Sequence, residues 1–173
     1  FKRLRDRDVD VTVVTNSLAA NNQFTVHGGY APSRKPMLKE GVRIYEARPD
    51  AEVVGAELIA ADGATATLHT KAYIVDDREL FIGSFNFDPR SAYINTESGV
   101  IIRSPTMARR LSDAIDASLK KYTYQVFLND DGKLRWREVQ EGEDIIWKHE
   151  PRTTWGQRFI AGFMRFLPIR GQL

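Results

Sequence analysis

Cysteine is missing from this chain of 173 residues. Its absence removes disulfides, thiolate metal sites and cysteine nucleophiles together, while saying little about compartment. Histidine is scarce: His27, His69 and His149 lie far apart with no ligand spacing between them, so a structural metal is not expected. Charge of one sign is also lacking. The 25 basic and 23 acidic residues leave a formal charge of +2, and because the two signs are mixed along most of the chain there is no nucleic-acid footprint. No apolar run reaches the roughly 20 residues that span a bilayer. The opening "FKRLRDRDVDVTVV" has no signal-peptide core and does not begin with methionine, so the chain reads as a piece of something longer.

What is present is a globular pattern, 42% hydrophobic. Val9 to Thr15 alternates and is rich in β-branched residues, which predicts a strand ending in the polar Asn16-Ser17 turn. Residues 24–40 read as a helix closed by Gly41, and "VRIYEAR" as a second strand, the pattern of a right-handed βαβ crossover with a partly parallel sheet. A loop or irregular hairpin follows over 49–63. "ATATLHTKAYIVDD" and "ELFIGSFN" then predict two strands about an Asp77-Arg78 turn, and "GVIIRS" a further strand. Ser104-Pro105 opens a helix to about Lys121, and "TYQVFLNDDGKLRWREV" is a hairpin about Asp131-Gly132. Residues 1–150 form the expected domain and 151–173 a C-terminal helix.

The chemistry gathers in "LHTKAYIVDDRELFIGSFN", Leu68 to Asn86. Two residues apart on a strand, His69 and Lys71 share a face. A turn at Asp77-Arg78 would pair residues so that His69 faces Asn86 and Lys71 faces Ser84. Gly83 would then leave room for a ligand to approach the backbone. Such a patch suits a phosphate: Lys71 gives a point charge, Asn86 an amide donor, Ser84 a hydroxyl, and a neutral His69 can attack phosphorus. Asp76 falls at the turn end of the hairpin, roughly 20 Å from His69 at about 3.3 Å per residue, which gives it a turn or ion-pair role. Glu97, in "YINTESG", returns toward the open end and is the better candidate to hold the ring in one tautomer. Tyr93 and Asn95 lie close to it in sequence and are candidates to shape the pocket. His27, beside Gly28 and Gly29 near a helix start, reads as structural, with it or Asn16 the alternative candidates to line the cleft where strands end and helices begin.

His69-x-Lys71-x4-Asp76-x6-Gly83-Ser84-x-Asn86 matches every defined position of the HKD motif, and on this ground the chain resembles the phospholipase D superfamily. "TNSLAANN", "VHGGYAPSRKPMLKEGV", "GSFNFDPRSAYINTESGV" and "FMRFLPI" extend the likeness over nearly the whole chain, to the C-terminal half of bacterial cardiolipin synthases of the C type. The resemblance implies an α/β fold, half of an α/β/α sandwich with a mixed sheet, and a metal-free phosphatidyltransferase. In that chemistry His69 is nucleophile or acid/base, Lys71, Ser84 and Asn86 hold the phosphate, and Glu97 matches the family's downstream acidic residue. It implies phosphatidylglycerol or phosphatidylethanolamine as substrate, and a peripheral place on the bacterial inner membrane. Only one HKD set is present, so a second is expected from an N-terminal half of the same parent chain or from a homodimer partner. Two other readings stay open: a nuclease of the same superfamily working as a symmetric dimer, and a non-catalytic membrane-binding or dimerisation half.

At helical spacing the tail gathers Trp155, Phe159, Ile160, Phe163, Met164 and Leu167 toward one side, with Arg158 and Arg165 elsewhere and no acidic residue after Glu150. A basic amphipathic helix of this kind fits a bilayer interface, with Trp155, Phe159, Phe163, Arg158 and Arg165 in contact with lipid. The same stripe also fits a helix docked on its own domain or on an absent half.

Overall fold

The computed structural model describes residues 1–20, 24–50 and 69–164. Of these, 1–20, 24–50 and 119–164 make one compact unit and 69–118 another. The chain is α/β, with one mixed and one antiparallel sheet.

In the first unit a short helix α1 (Lys2–Arg5) precedes strand β1 (Thr12–Asn16), which therefore starts later than the alternation of Val9 to Thr15 predicts. The lead-in is tied up as a turn instead: the Val9 N–H donates to the Leu4 carbonyl at 3.0 Å, and Arg5 Nη1 donates to the Val9 carbonyl at 2.8 Å. The helical stretch divides into α2 (Phe24–Tyr30), a 3-10 turn (Ala31–Ser33) and α3 (Arg34–Lys39). Pro32 has no N–H to give to the ladder, which accounts for the break. Strand β2 (Arg43–Ala47) then lies parallel to β1, as the crossover pattern requires.

The hairpin strands of the second unit come next in the chain, β3 (Lys71–Val75) and β4 (Glu79–Gly83), then helix α4 (Pro89–Tyr93), strand β5 (Gly99–Arg103) and helix α5 (Pro105–Tyr122). The chain returns to the first unit as β6 (Thr123–Leu128), β7 (Leu134–Gln140) and β8 (Glu143–Trp147), and ends the described region in α6 (Trp155–Met164). The large sheet has the order β1-β2-β6-β7-β8. The sequence analysis gave β6 and β7 but not β8, whose entry is a Glu141-Gly142 turn with both residues at positive φ. Val42, Ile44, Tyr124, Val126 and Trp136 form the buried apolar cluster.

Polar groups are buried with it: the Glu46 carboxylate is fully partnered, whereas the Tyr124 hydroxyl and both His27 ring nitrogens make no hydrogen bond among the described residues. Glu46 is fully enclosed and accepts from Tyr30 Oη at 3.1 Å, Arg34 Nη1 at 3.2 Å and Trp136 Nε1 at 2.8 Å. Arg34 Nη2 also donates to Glu150 at 2.9 Å. Burial alone would lower the Arg34 pKa, but Glu46 and Glu150 hold it above the ordinary arginine value. His27 is buried in the same unit, with Nε2 3.9 Å from Glu150 and its ring edge-on to Tyr30. It is enclosed rather than presented to solvent.

The second unit's sheet is antiparallel in the order β3-β4-β5. Its register differs by one residue from that predicted. Lys71 pairs with Gly83 and Val75 with Glu79, because Asp76 and Asp77 both take positive φ and the Arg78 N–H closes the turn on the Val75 carbonyl at 3.0 Å. The turn is therefore Asp76-Asp77 with Arg78 as an extra residue, not Asp77-Arg78.

A candidate phosphodiester site on the hairpin

The shifted register changes the site's partners while keeping its face. His69 and Lys71 still alternate to one side. Lys71, Gly83 and Gly99 now form one row across the three strands, followed by a row of Tyr73, Phe81 and Ile101. Lys71 therefore lies opposite Gly83 rather than Ser84, and His69 falls opposite Phe85 rather than Asn86 when the register is continued. Strand β4 stops at Gly83, which frees Ser84 from strict alternation.

His69 and Lys71 meet directly. Lys71 Nζ stands 3.1 Å from Nε2 and 3.2 Å from Nδ1 of the exposed imidazole, and it donates to the His69 carbonyl at 2.8 Å. Only a ring nitrogen that keeps its lone pair can accept from an ammonium, so in a neutral ring at most one of the two contacts is a hydrogen bond. Partial burial lowers the Lys71 pKa, offset only in part by the carboxylates of Glu97 and Asp88.

Glu97 is engaged elsewhere than expected. The Ser84 hydroxyl donates to Glu97 Oε2, and Asn95 Nδ2 donates to Oε1 at 3.2 Å, so the donors gathered on it are Ser84, Asn95 and Ser91 rather than the His69 ring. Hydrogen bonds from Ser84 and Ser91, then from Asn95, together with the Lys71 charge, hold its carboxyl below the usual glutamate range. The group that touches His69 is Lys71.

The loop carrying Ser84 and Asn86 is fixed from four sides. The Ser84 N–H donates to the Ser98 carbonyl at 2.9 Å, and the Tyr73 hydroxyl donates to the Phe85 carbonyl. The Asn86 N–H donates to Ser91 Oγ at 3.3 Å, and Asp88 caps α4 by accepting the Ser91 N–H at 2.7 Å. Among the described residues the Asn86 carboxamide makes no hydrogen bond of its own and is exposed, as is Tyr93. Asn16 ends β1 in the other unit, paired with Ala47. Asp76 sits in the hairpin turn, far along the strand from His69.

Asp88-Pro89 reads from the sequence as the opening of a short helical turn, which the Asp88 cap on α4 matches, whereas Tyr73 and Ser91 were not singled out. Tyr73 was findable in principle, since it follows Lys71 by two residues on the same face. The expected open approach at Gly83 is not there. A Cβ on Gly83 would come within 2.7 Å of the Phe81 ring and 2.5 Å of the Ser98 carbonyl, and one on Gly99 within 2.4 Å of the same ring. The glycine pair makes room for Phe81, not for a ligand. Phe81 stacks on Tyr73 at 5.2 Å, and Phe87 meets Tyr73 edge-on at 4.9 Å. These rings line an open apolar groove of about 530 Å³ that runs from Glu97, Ser98 and Gly99 to Ile101 and Val75.

Residues 1–119 match the family model described as cardiolipin synthase, PLD-like domain. The chain is 37% identical over 171 residues to cardiolipin synthase C of Escherichia coli K12, covering 96% of this chain and 36% of that protein. It is 31% identical over 170 residues to an uncharacterised protein of Helicobacter pylori, covering 33% of that protein. The chain thus spans about a third of the length of the curated relatives it matches. A crystal structure of phosphatidylserine synthase from Haemophilus influenzae aligns with 71% of this chain and 29% of its own, at 15% identity and a TM-score of 0.46.

Proposed function

Because the chain belongs to the phospholipase D-like domain family of the cardiolipin synthases, we propose that it is one half of a phosphatidyltransferase acting on phospholipid at a membrane surface. The observation that carries this reading is the His69–Lys71 pair, exposed at the end of a sheet whose same face continues into an aromatic groove. A phospholipid is a diester joined to apolar chains, and this arrangement offers a cation and a nucleophile at one end with apolar surface beside them. A nucleic acid would instead ask for a basic groove, which the mixed charge of the chain does not supply.

In the proposed reaction the His69 imidazole attacks phosphorus, the bond from phosphorus to the leaving alcohol breaks, and a phosphohistidine forms. A second histidine, from another HKD set in the same parent chain or in a second copy, protonates the departing oxygen. The acceptor alcohol gives its proton to that second histidine as it attacks the phosphohistidine, which returns His69 to its starting state. Lys71 and the exposed Asn86 carboxamide hold the non-bridging oxygens through charge and hydrogen bonding. Ser84 and Glu97 fix the loop that presents them. Asp76 and Gly83 serve the hairpin itself. Phosphatidylglycerol or phosphatidylethanolamine is the proposed donor and phosphatidylglycerol the acceptor, at the bacterial inner membrane.

Thin-layer separation of phospholipid products from the complete protein, beside plasmid cleavage under the same conditions, tests the reading. Cardiolipin should form, and His69→Asn should abolish it. Near-normal product from the Asn variant would remove His69 from the chemistry, and plasmid cleavage without lipid product would move the site to the nucleases.

A further inference from the structure

Helix α6 is packed inside out. It lies against α2 in the first unit and buries the small Ala161, which is 8% exposed, with Gly156, Gln157 and Arg158 partly covered. Its largest apolar side chains face outward: Trp155 is 73% exposed, Phe159 59%, Phe163 55% and Ile160 42%. Trp155, Phe159 and Phe163 follow one another at four-residue spacing and form a single ridge, with the first two rings stacked at 5.3 Å. Apolar ridges of this size on a surface mark something that covers them.

From the ridge and its charge we infer that it lies in the interface of an anionic bilayer. The helix starts on a reciprocal cap in which Gln157 Oε1 accepts the Thr154 N–H at 2.8 Å and Thr154 Oγ1 accepts the Gln157 N–H at 3.2 Å. The neutral glutamine stands where a glutamate would serve equally well for capping, so the positive end of the helix dipole carries no carboxylate. No acidic residue occurs from Pro151 to the end of the sequence, whereas Arg152, Arg158, Arg165 and Arg170 do, Arg152 being paired with Asp50 and Glu138 and the last two lying outside the described residues. Arg158 donates to the Thr153 carbonyl at 2.7 Å and to Thr153 Oγ1 at 3.0 Å, and among the described residues no carboxylate pairs with it. A tail whose sequence carries arginines and no carboxylate is complementary in charge to anionic lipid. Among the described residues no helix is long and apolar enough to cross a membrane.

The inference uses the phospholipid reading only in choosing the occupant, and its test needs no turnover. The purified protein should sediment with phosphatidylglycerol vesicles and not with phosphatidylcholine vesicles, with a blue shift of tryptophan emission that is lost in Trp155→Phe. Phe159→Ser with Phe163→Ser should cut vesicle binding by on the order of 10-fold or more, with the circular dichroism spectrum unchanged. His69→Asn should bind vesicles like the parent, so loss of the transferase activity would leave this result intact. Equal binding of the double serine variant, or no vesicle binding by the parent, overturns the assignment. A dimer in ultracentrifugation that the serine pair dissolves, without vesicle binding, gives the ridge to a second copy and equally overturns it.

Discussion

The first unit and the second handle charge in opposite ways. The Glu46 carboxylate is fully answered: tyrosine, arginine and indole donors converge on it with no exposure, and Arg34 bridges onward to Glu150. At the hairpin, His69 and Lys71 are held to each other but lie open, and the Asn86 carboxamide has no protein partner among the described residues. Buried groups that saturate one another have nothing left to offer a ligand, and their value lies in a unique arrangement of helix on sheet. Groups with unused hydrogen-bonding capacity at a surface are the ones that can bind. A count of charged residues would not tell the two clusters apart.

The sharpest way to break this contrast is to remove one cation from each. Lys71→Met should lower product formation on the order of a thousandfold, yet leave the unfolding free energy from urea titration within about 0.5 kcal/mol of the parent. Arg34→Met should do the reverse. It strands Glu46 and Glu150 without their cation, and stability should fall by about 3–5 kcal/mol in the same urea titration. Pairing it with Glu46→Gln should recover part of that loss, and a double variant no better than the single one would show that the Arg34–Glu46 contact carries little.

Acid titration gives a smaller effect of known sign. Burial raises the Glu150 pKa, but His27 and Arg34 outweigh it and hold the carboxyl down to about 2. A depressed carboxyl stabilises the fold above its ordinary pKa. That contribution, about 3 kcal/mol, should drain away as the pH falls from about 4.5 to about 2 and be missing in Glu150→Gln across the range. On the alkaline side, Lys71 should lose its proton below the ordinary lysine range, so phosphate binding should fade earlier with rising pH than a solvated lysine would dictate. The smallest change is Tyr73→Phe. It deletes the hydroxyl bonded to the Phe85 carbonyl and should cost about 1 kcal/mol, with a modest loss of turnover from a looser Ser84–Asn86 loop.

Much of the architecture was legible because it is local. The β-branched alternation before Asn16, the parallel return at Arg43 and the long helix from Pro105 all follow from period and punctuation. The proline break at Ala31–Ser33 was legible too and was read through. Strand β8 was missed because its entry turn has glycine as the second residue of a Glu-Gly pair, a weaker mark than Asn-Gly or Asp-Gly. At the site, the face shared by His69 and Lys71 was legible and their cross-strand partners were not. The one-residue slip rests on Asp76 and Asp77 both adopting positive φ, a choice that nothing in "VDDREL" declares.

By itself the sequence determined which side chains exist to do chemistry and that two of them alternate onto one surface, because the pleat of a strand fixes side-chain direction every second residue. Only the tertiary structure decided what each one touches. It assigned Glu97 to Ser84, filled the space over Gly83 with Phe81, and turned the large face of α6 outward. Those outcomes depend on distances between segments far apart in the chain, and spacing along a sequence carries no record of them.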